Sequence, residues 1–468
     1  MIDLKSQSRR FGLALLSVGL FSCTGHLQRP TETVVVKHPE TWVAAGKGQS
    51  GKVATGWVKD LRSPQLTSLV KEAVNRSPDL AATAASVRAS AESVRISHAA
   101  LQPQANAGLN ASRSRTETGA GGGDRLYSSN LSNQFGVSWE LDLWGRLRDQ
   151  RDAAYFNYEA ALADYRSARL SLAASVARNY IQLISAEQQV QLSEMTVASF
   201  EKNLRIIERN YKSGVPGVRA LDVQFGRSNV AGAERGLRIQ KQSRDEARRG
   251  LERLLGRYPA AALRGGNTLP DLTKSVPAGL PASLVERRPD LAAQRYQLLA
   301  SAKSADASRK NLLPDLRLSA NTGAGGSELS RLFDPGFLAS SIGASIGQPV
   351  FTGGRLTASA RQALERNNAE IQRYVSASLS AFEEVENRLA AERYLTEQEA
   401  FLQQEVDAST LAEEQAERDY TEGIEGASIL SLLEAQRRAF NSRQSLIRLK
   451  ADRLLNRISL HLALGGDF

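Results

Sequence analysis

One eleven-residue stretch occurs twice in this chain, and the rest of the sequence repeats around it. The first copy runs from Tyr211 to Leu221 through Gly214 and Gly217; the second runs from Tyr420 to Leu430 through Gly423 and Gly426, offset by 209 residues. Gly145-Arg146-Leu147 and Gly354-Arg355-Leu356 share that offset, as do Leu255-Gly256 and Leu464-Gly465. Pro78-Asp79-Leu80-Ala81 and Pro289-Asp290-Leu291-Ala292 are offset by 211, as are Leu101–Pro103 and Leu312–Pro314. Five landmarks in one order define a tandem duplication, residues 64–256 and 283–468. Each copy of the central stretch separates two long proline-poor runs. Two glycines three apart at that place read as a helix C-cap and a tight reversal, the tip of a helical hairpin.

The runs on either side set the lengths. Residues 145–212 and 354–422 contain no proline and predict helices of about 100 Å at 1.5 Å per residue. The return runs, 218–256 and 427–464, predict helices of about 57 Å. The entry runs 64–101 and 283–312 are also about half length, and the first breaks at Ser77-Pro78-Asp79, a cap with proline at the first helical position. Leu170, Val176, Tyr180, Leu183, Ile184 and Val190 recur at mixed threes and fours, which is packing against neighbouring helices; no apolar run is long enough for a transmembrane helix. Residues 257–282, with four prolines, read as an irregular connector between the repeats.

Between entry and long helix the period changes from helical to two. In the first repeat (103–143) Ala105, Ala107, Leu109 and Ala111 alternate with Asn106, Gly108 and Asn110. Phe135, Val137, Trp139 and Leu141 then alternate with Gly136, Ser138, Glu140 and Asp142. In the second repeat (314–351) Leu316, Leu318 and Ala320 oppose Arg317, Ser319 and Asn321. Each strand is long enough to cross a membrane when tilted. A soluble sheet would turn the apolar face to a core; a membrane barrel would turn it to lipid. Nothing else in either repeat covers the apolar face, four strands cannot close, and open edges are not tolerated in lipid. Several chains are therefore expected to pool their strands, with Asn106, Asn110, Glu140, Asp142, Arg317 and Asn321 lining a wet lumen.

The N-terminus predicts export. Lys5, Arg9 and Arg10 precede an apolar run from Phe11 to Phe21, followed by Ser22-Cys23-Thr24. Residues 1–22 read as a signal peptide. Cys23, the only cysteine, stands where a bacterial lipobox places its acylated residue, and Thr24 in place of Asp implies sorting to the outer membrane. Residues 23–60 then form a lipid-anchored linker. The net charge of +10 reads as solvated arginine-rich helix faces: no basic cluster is interleaved with aromatics as in nucleic-acid grooves. The four histidines are scattered without ligand spacing, and no nucleotide loop or nucleophile with its base is present. Neither an enzyme, a metal nor a cofactor is expected.

A β-hairpin plus a 100 Å helical hairpin, duplicated and preceded by a lipobox, resembles the TolC-like outer-membrane efflux factors, and within them the lipoprotein (NodT-type) branch serving resistance-nodulation-division pumps. The paired Pro-Asp-Leu entries, Gly-Arg-Leu junctions, Tyr-x-x-Gly-x-x-Gly tips and terminal Leu-Gly-Gly carry that resemblance over about 60–468. It implies a mainly α fold with membrane β. Three chains, a homotrimer, would share a twelve-stranded β-barrel in outer-membrane lipid above a long periplasmic α-helical barrel. It implies a passive exit duct for drugs, toxic compounds or metals, partnered by an inner-membrane pump and a periplasmic adaptor. Leu430, Glu434 and Arg437, at i, i+4 and i+7, match the stripe with which the family narrows its periplasmic mouth, with Glu in place of the family's Asp. The alternative for that stripe is an ordinary surface ion pair. Gly214, Val215, Gly217, Gly423, Gly426 and Ala427 would form adaptor-docking tips, although a reversal needs glycine in any case. Matching places in the first tip carry Leu221, Phe225 and Ser228, and Asp222 is a lesser candidate. Two rivals are a channel for type I protein secretion and a periplasmic coiled-coil scaffold; the alternating strands argue against the scaffold.

Overall fold

A computed structural model describes residues 38–45, 56–117, 125–266, 268–272, 276–424 and 428–468. A short helix α1 (Trp57–Asp60) precedes the first repeat, which gives α2 (Pro64–Arg76), α3 (Pro78–Ala99), strands β1 (Gln104–Glu117) and β2 (Arg125–Leu141), α4 (Arg146–Lys212) and α5 (Ala220–Leu254). The second gives α6 (Pro281–Arg287), α7 (Pro289–Lys310), β3 (Asp315–Gly326), β4 (Ala339–Gly347), α8 (Arg355–Glu422) and α9 (Ile429–Ala463). Helix α1 lies inside the stretch expected to be linker. No helix among the described residues is long and apolar enough to cross a membrane.

The entry helices break where proline demands it. Proline disfavours the helical conformation in the residue before it, and both preceding residues are extended: Ser77 at ψ 121° and Arg288 at ψ 118°. Ser77 Oγ then accepts from the Leu80 amide at 3.3 Å. Arg288 lacks a serine's capping oxygen and instead reaches outward, donating to Asp290 and Glu384 and to the Ala463 carbonyl. Burial would raise the Asp290 carboxyl pKa, but Arg288 holds it below the usual range.

The residues fall into two compact units. One comprises Ala85–Leu162 and Ala293–Ser376 and holds the sheet, a four-stranded antiparallel meander in the order β1-β2-β3-β4. Its register is unbroken from Gln104↔Ser138 to Glu117↔Arg125, so each face keeps its residues along the whole hairpin. The rows Asn106–Gly136–Asn321–Ser341 and Gln104–Ser138–Ser319–Gly343 lie on one face; Ala105–Val137–Ala320–Ile342 and Leu141–Leu316–Ile346 lie on the other. Strand β4 ends at Gly347, so Val350 lies beyond the paired strand. Below the sheet, Lys303 and Lys310 donate to the buried Asp149. Burial would raise that carboxyl pKa, and the two ammonium groups hold it below its ordinary value.

The other unit comprises Val36–Ala84, Ala163–Ala292 and Ala377–Phe468. It has two cores that the repeat relates. Val176, Leu251 and Leu255 pack with α2 in the first; Val385, Leu460 and Leu464 pack with Leu284 of α6 in the second. Residues ahead of the first repeat complete each one. Trp57 is buried in the first, and Trp42 in the second, where its indole Nε1 donates to the Ala278 carbonyl at 3.1 Å. The repeated Leu-Gly landmark is explained here. Gly256 and Gly465 both have left-handed backbone, φ 70° and 67°. An added Cβ on Gly256 would stand 2.8 Å from the Arg76 carbonyl oxygen, and one on Gly465 would stand 3.1 Å from that of Arg287. Each return helix thus ends against the break of its own entry helix, where only glycine fits.

Candidate functional site

The helix tips are built by capping. Helix α4 closes with Val215 donating to the Asn210 carbonyl at 3.0 Å over Gly214 at φ 66°, and α8 closes with Ile424 donating to Asp419 at 3.0 Å over Gly423 at φ 70°. Gly217 also has positive φ, 87°. A Cβ on Gly214, Gly217 or Gly423 would meet nothing within 4 Å, and Val215 is exposed: this part of the tips faces outward. Gly426 and Ala427 lie outside the described residues, as does Cys23. Beneath the tips Ile207, Val223, Ile429 and Leu432 form a small core joining the two hairpins.

The next helices start differently. Ser428 Oγ accepts from the Ser431 amide at 3.1 Å. Asp222 accepts from the Arg219 amide at 2.8 Å and is buried. That burial takes it out of contention as a mouth residue: its carboxylate closes the N-terminal turn of α5.

Leu430, Glu434 and Arg437 lie along one groove of about 630 Å³, which also exposes Phe225 and Ser228, their counterparts from the first repeat. Leu430 is 52 % exposed. Glu434 takes the Arg437 guanidinium through Nη2 at 2.7 Å and Nε at 2.9 Å, and Arg438 Nε donates to its other oxygen at 2.7 Å. The two guanidiniums, Arg438 first, hold the Glu434 carboxyl below its ordinary pKa. Arg438 was not singled out from the sequence, though it sits at the favourable i+4 spacing. Also missed was a polar contact on the opposite side of α9. Asn203 donates to Gln436 Oε1 at 2.8 Å, and Gln436 donates to Ser199 Oγ at 3.2 Å. Asn203 and Gln436 are 2 % and 3 % exposed, so this amide pair ties α9 to α4 out of water.

On the sheet, Asn106 and Asn321 converge across Gly136, where a Cβ would stand 3.0 and 2.8 Å from their carboxamide oxygens. Asn110 is exposed on the same face, opposite Ser132. Glu140 is paired with Arg146, lies 3.8 Å from Arg317 Nη2, and Arg317 Nε donates to Asp315 at 2.8 Å. Asp142 departs from the expected lumen face. It follows the end of β2 and turns back to accept from the Leu147 and Arg148 amides, each at 3.0 Å, capping α4. Among the described residues no cluster of His, Cys, Asp and Glu could hold a metal ion.

A membrane-type sheet with one polar and one apolar face, continuous in the chain with duplicated long helical hairpins, defines a tandem-repeat channel protein of the outer membrane. The sequence matches the outer membrane efflux protein family over residues 69–257 and 280–466, and the chain belongs to that family. It is 32 % identical to the pyoverdine export outer membrane protein OpmQ of Pseudomonas putida, over 98 % of both chains. It is 31 % identical to the toluene efflux pump outer membrane protein TtgF of Pseudomonas putida, over 97 % of this chain and 96 % of that one. In structure it resembles the outer-membrane channel OprN (TM-score 0.83, 25 % identity, 94 % and 99 % of the chains). It also resembles the open state of the Neisseria gonorrhoeae MtrE outer membrane channel (TM-score 0.81, 28 % identity, 94 % and 98 %).

Proposed function

We propose that this protein is the outer-membrane exit duct of a tripartite efflux system, passing small toxic molecules outward from an inner-membrane pump through a periplasmic adaptor. One observation carries the reading: a meander polar on one face and, from the helix end to Ala111 on β1 and Leu131 on β2, mainly apolar on the other, with β1 and β4 left as edges. In hydrocarbon such edges need partners, and four strands fall short of the number a barrel needs. Three copies joined edge to edge give twelve strands, a wet interior and no free edge. The relatives' names, export of pyoverdine and efflux of toluene, support a cargo of small organic molecules.

In this reading Cys23 carries the lipid anchor, and Gly214, Val215, Gly217, Gly423, Gly426 and Ala427 receive the adaptor. Asn106, Asn110, Arg317 and Asn321 line the lumen, with Glu140 at its base. Leu430, Glu434 and Arg437 form the mouth. Glu434 is already paired within its own helix, so the mouth is held by a neutralised acid–arginine collar around exposed leucines, and not by bare repelling carboxylates.

A strain lacking the gene, challenged with solvents, dyes, antibiotics and iron chelators, is expected to become hypersensitive to one class and to be rescued by the intact gene. Unchanged susceptibility together with loss of an exported protein from the medium would favour protein secretion instead. In planar bilayers Glu434→Ala with Arg437→Ala is expected to raise single-channel conductance, and unchanged conductance removes these residues from the mouth. Because the Glu434 carboxyl stays ionised below the ordinary carboxylate range, wild-type conductance is expected to be flat from about pH 5 to 8.

A further inference from the structure

The outward face of the first hairpin does not stay apolar to its end. Following the register from Leu141 to Leu131, this side of β2 covers ten residues, about 33 Å of strand, and is apolar except at Asn133, whose carboxamide is taken up by the Leu332 carbonyl at 2.7 Å and the Ala324 amide at 2.6 Å. At a barrel tilt of about 40° this is about 25 Å of height, the thickness of an outer-membrane apolar band. Beyond Leu131 the same face changes character. Arg113, Arg115 and Glu117 follow Leu109 and Ala111 along β1, and Tyr127 and Arg125 face them on β2. No bulge intervenes, so these side chains share the lipid-side face.

The cluster carries three guanidiniums against one carboxylate. The Arg113 guanidinium lies over the Tyr127 ring, 5.2 Å from its centre. Glu117 accepts from Arg115 at 2.6 Å and lies 3.4 Å from Arg125. The side chains of Arg115 and Arg125 are half exposed or more. Rows 113 and 115 stand within about 10 Å of the end of the apolar band, the depth of a headgroup layer. Cations at that depth face anionic headgroups, and the flat fork of arginine matches phosphate oxygens in pairs.

We infer that Arg113, Arg115 and Arg125, with Tyr127 as the interfacial aromatic, form a binding site for the phosphate groups of outer-leaflet glycolipid. The surplus of positive charge selects phosphorylated lipid over zwitterionic lipid, and Tyr127 holds Arg113 flat along the face. This site rests on the duct reading, since it needs the apolar face in lipid.

The test uses the full-length protein from outer membranes, the combined variant Arg113→Ser, Arg115→Ser and Arg125→Ser, and Arg113→Lys with Arg115→Lys and Arg125→Lys. Each is exchanged into detergent and titrated with bis-phosphorylated lipid A, with the same lipid after phosphatase treatment, and with inorganic phosphate. Wild type is expected to retain the phosphorylated lipid at least about five-fold more tightly than the dephosphorylated one, the serine variant to lose that preference, and the lysine variant to keep part of it. Free phosphate should not compete at concentrations where the lipid binds. Equal retention of both lipids by wild type, or an undiminished preference in the serine variant, overturns the site. Membrane fractionation separates the two readings. A wild-type chain absent from the outer membrane overturns both, whereas one correctly inserted but indifferent to lipid phosphate overturns only the headgroup site.

Discussion

Glu252 and His461 hold equivalent places, 209 residues apart near the ends of α5 and α9, and both are buried. The two repeats keep an ionisable group out of water there in opposite ways. Glu252 stays charged: the amides of Ala261, Ala262 and Leu263 donate to it at 2.7, 2.7 and 2.9 Å, and they hold its carboxyl below the usual range although burial would raise it. The connector bends at Ala261, φ 59°, to bring those amides in. His461 stays neutral. Its ring stacks on Trp57 at 5.8 Å, and burial, with the Arg457 charge nearby, lowers its pKa from 6.5 to about 4. A duplicated scaffold thus accepts different side chains at one position when its surroundings diverge with them: amides from a following connector in one copy, an aromatic face from the preceding segment in the other.

The contrast is open to attack from its strongest point downward. Glu252→Ala would strand several buried amides, each costing about 1–3 kcal/mol, so a loss of about 3 kcal/mol or more is expected in denaturant unfolding. Acid should then tell the sites apart. An unfolded histidine takes up its proton first as pH falls below 6.5, so the His461 contribution is full above that pH and is lost toward about 4. It amounts to about 3 kcal/mol, and His461→Phe should flatten the pH dependence of the unfolding midpoint in that window. The folded Glu252 carboxyl is depressed below 4.5, so its contribution is lost only at lower pH. If His461→Phe leaves the slope between pH 6.5 and 4 intact, the two sites are not the opposites described.

Smaller effects probe the repeated closure and the tips. Gly256→Ala and Gly465→Ala each force a Cβ into left-handed backbone at about 1–3 kcal/mol, and Gly256→Ala should cost more because its carbonyl neighbour is nearer. At the tips Asp222→Ala should cost about 1–2 kcal/mol and Ser428→Ala about 1 kcal/mol. Hydrogen exchange over 218–224 and 428–432 reads both caps, and equal protection loss in the two would erase the difference between them.

Much of this architecture is legible in the sequence because it rests on residues with few substitutes. Positive-φ glycines end the helices, prolines break them, and strict alternation survives where the sheet register has no bulge. The side chains that work across helices are harder to read. Asn203 and Gln436 look like two amides among many on arginine- and glutamine-rich helices, and only packing shows that they meet. Asp142 continues the alternation of β2 by one residue, so pattern alone assigns it to the strand face; the strand ends before it, and the nearby amides of α4 claim it. Arg438 sits beside Arg437, and helix geometry brings both to Glu434.

The seat of Gly256 on Arg76, and of Gly465 on Arg287, bears on how such a chain can be lengthened. A segment whose last residue already rests beside its own beginning can be fused to a second copy without reshaping either one. The junction asks only for a tether that reaches, and the proline-rich stretch after Gly256 meets that modest demand.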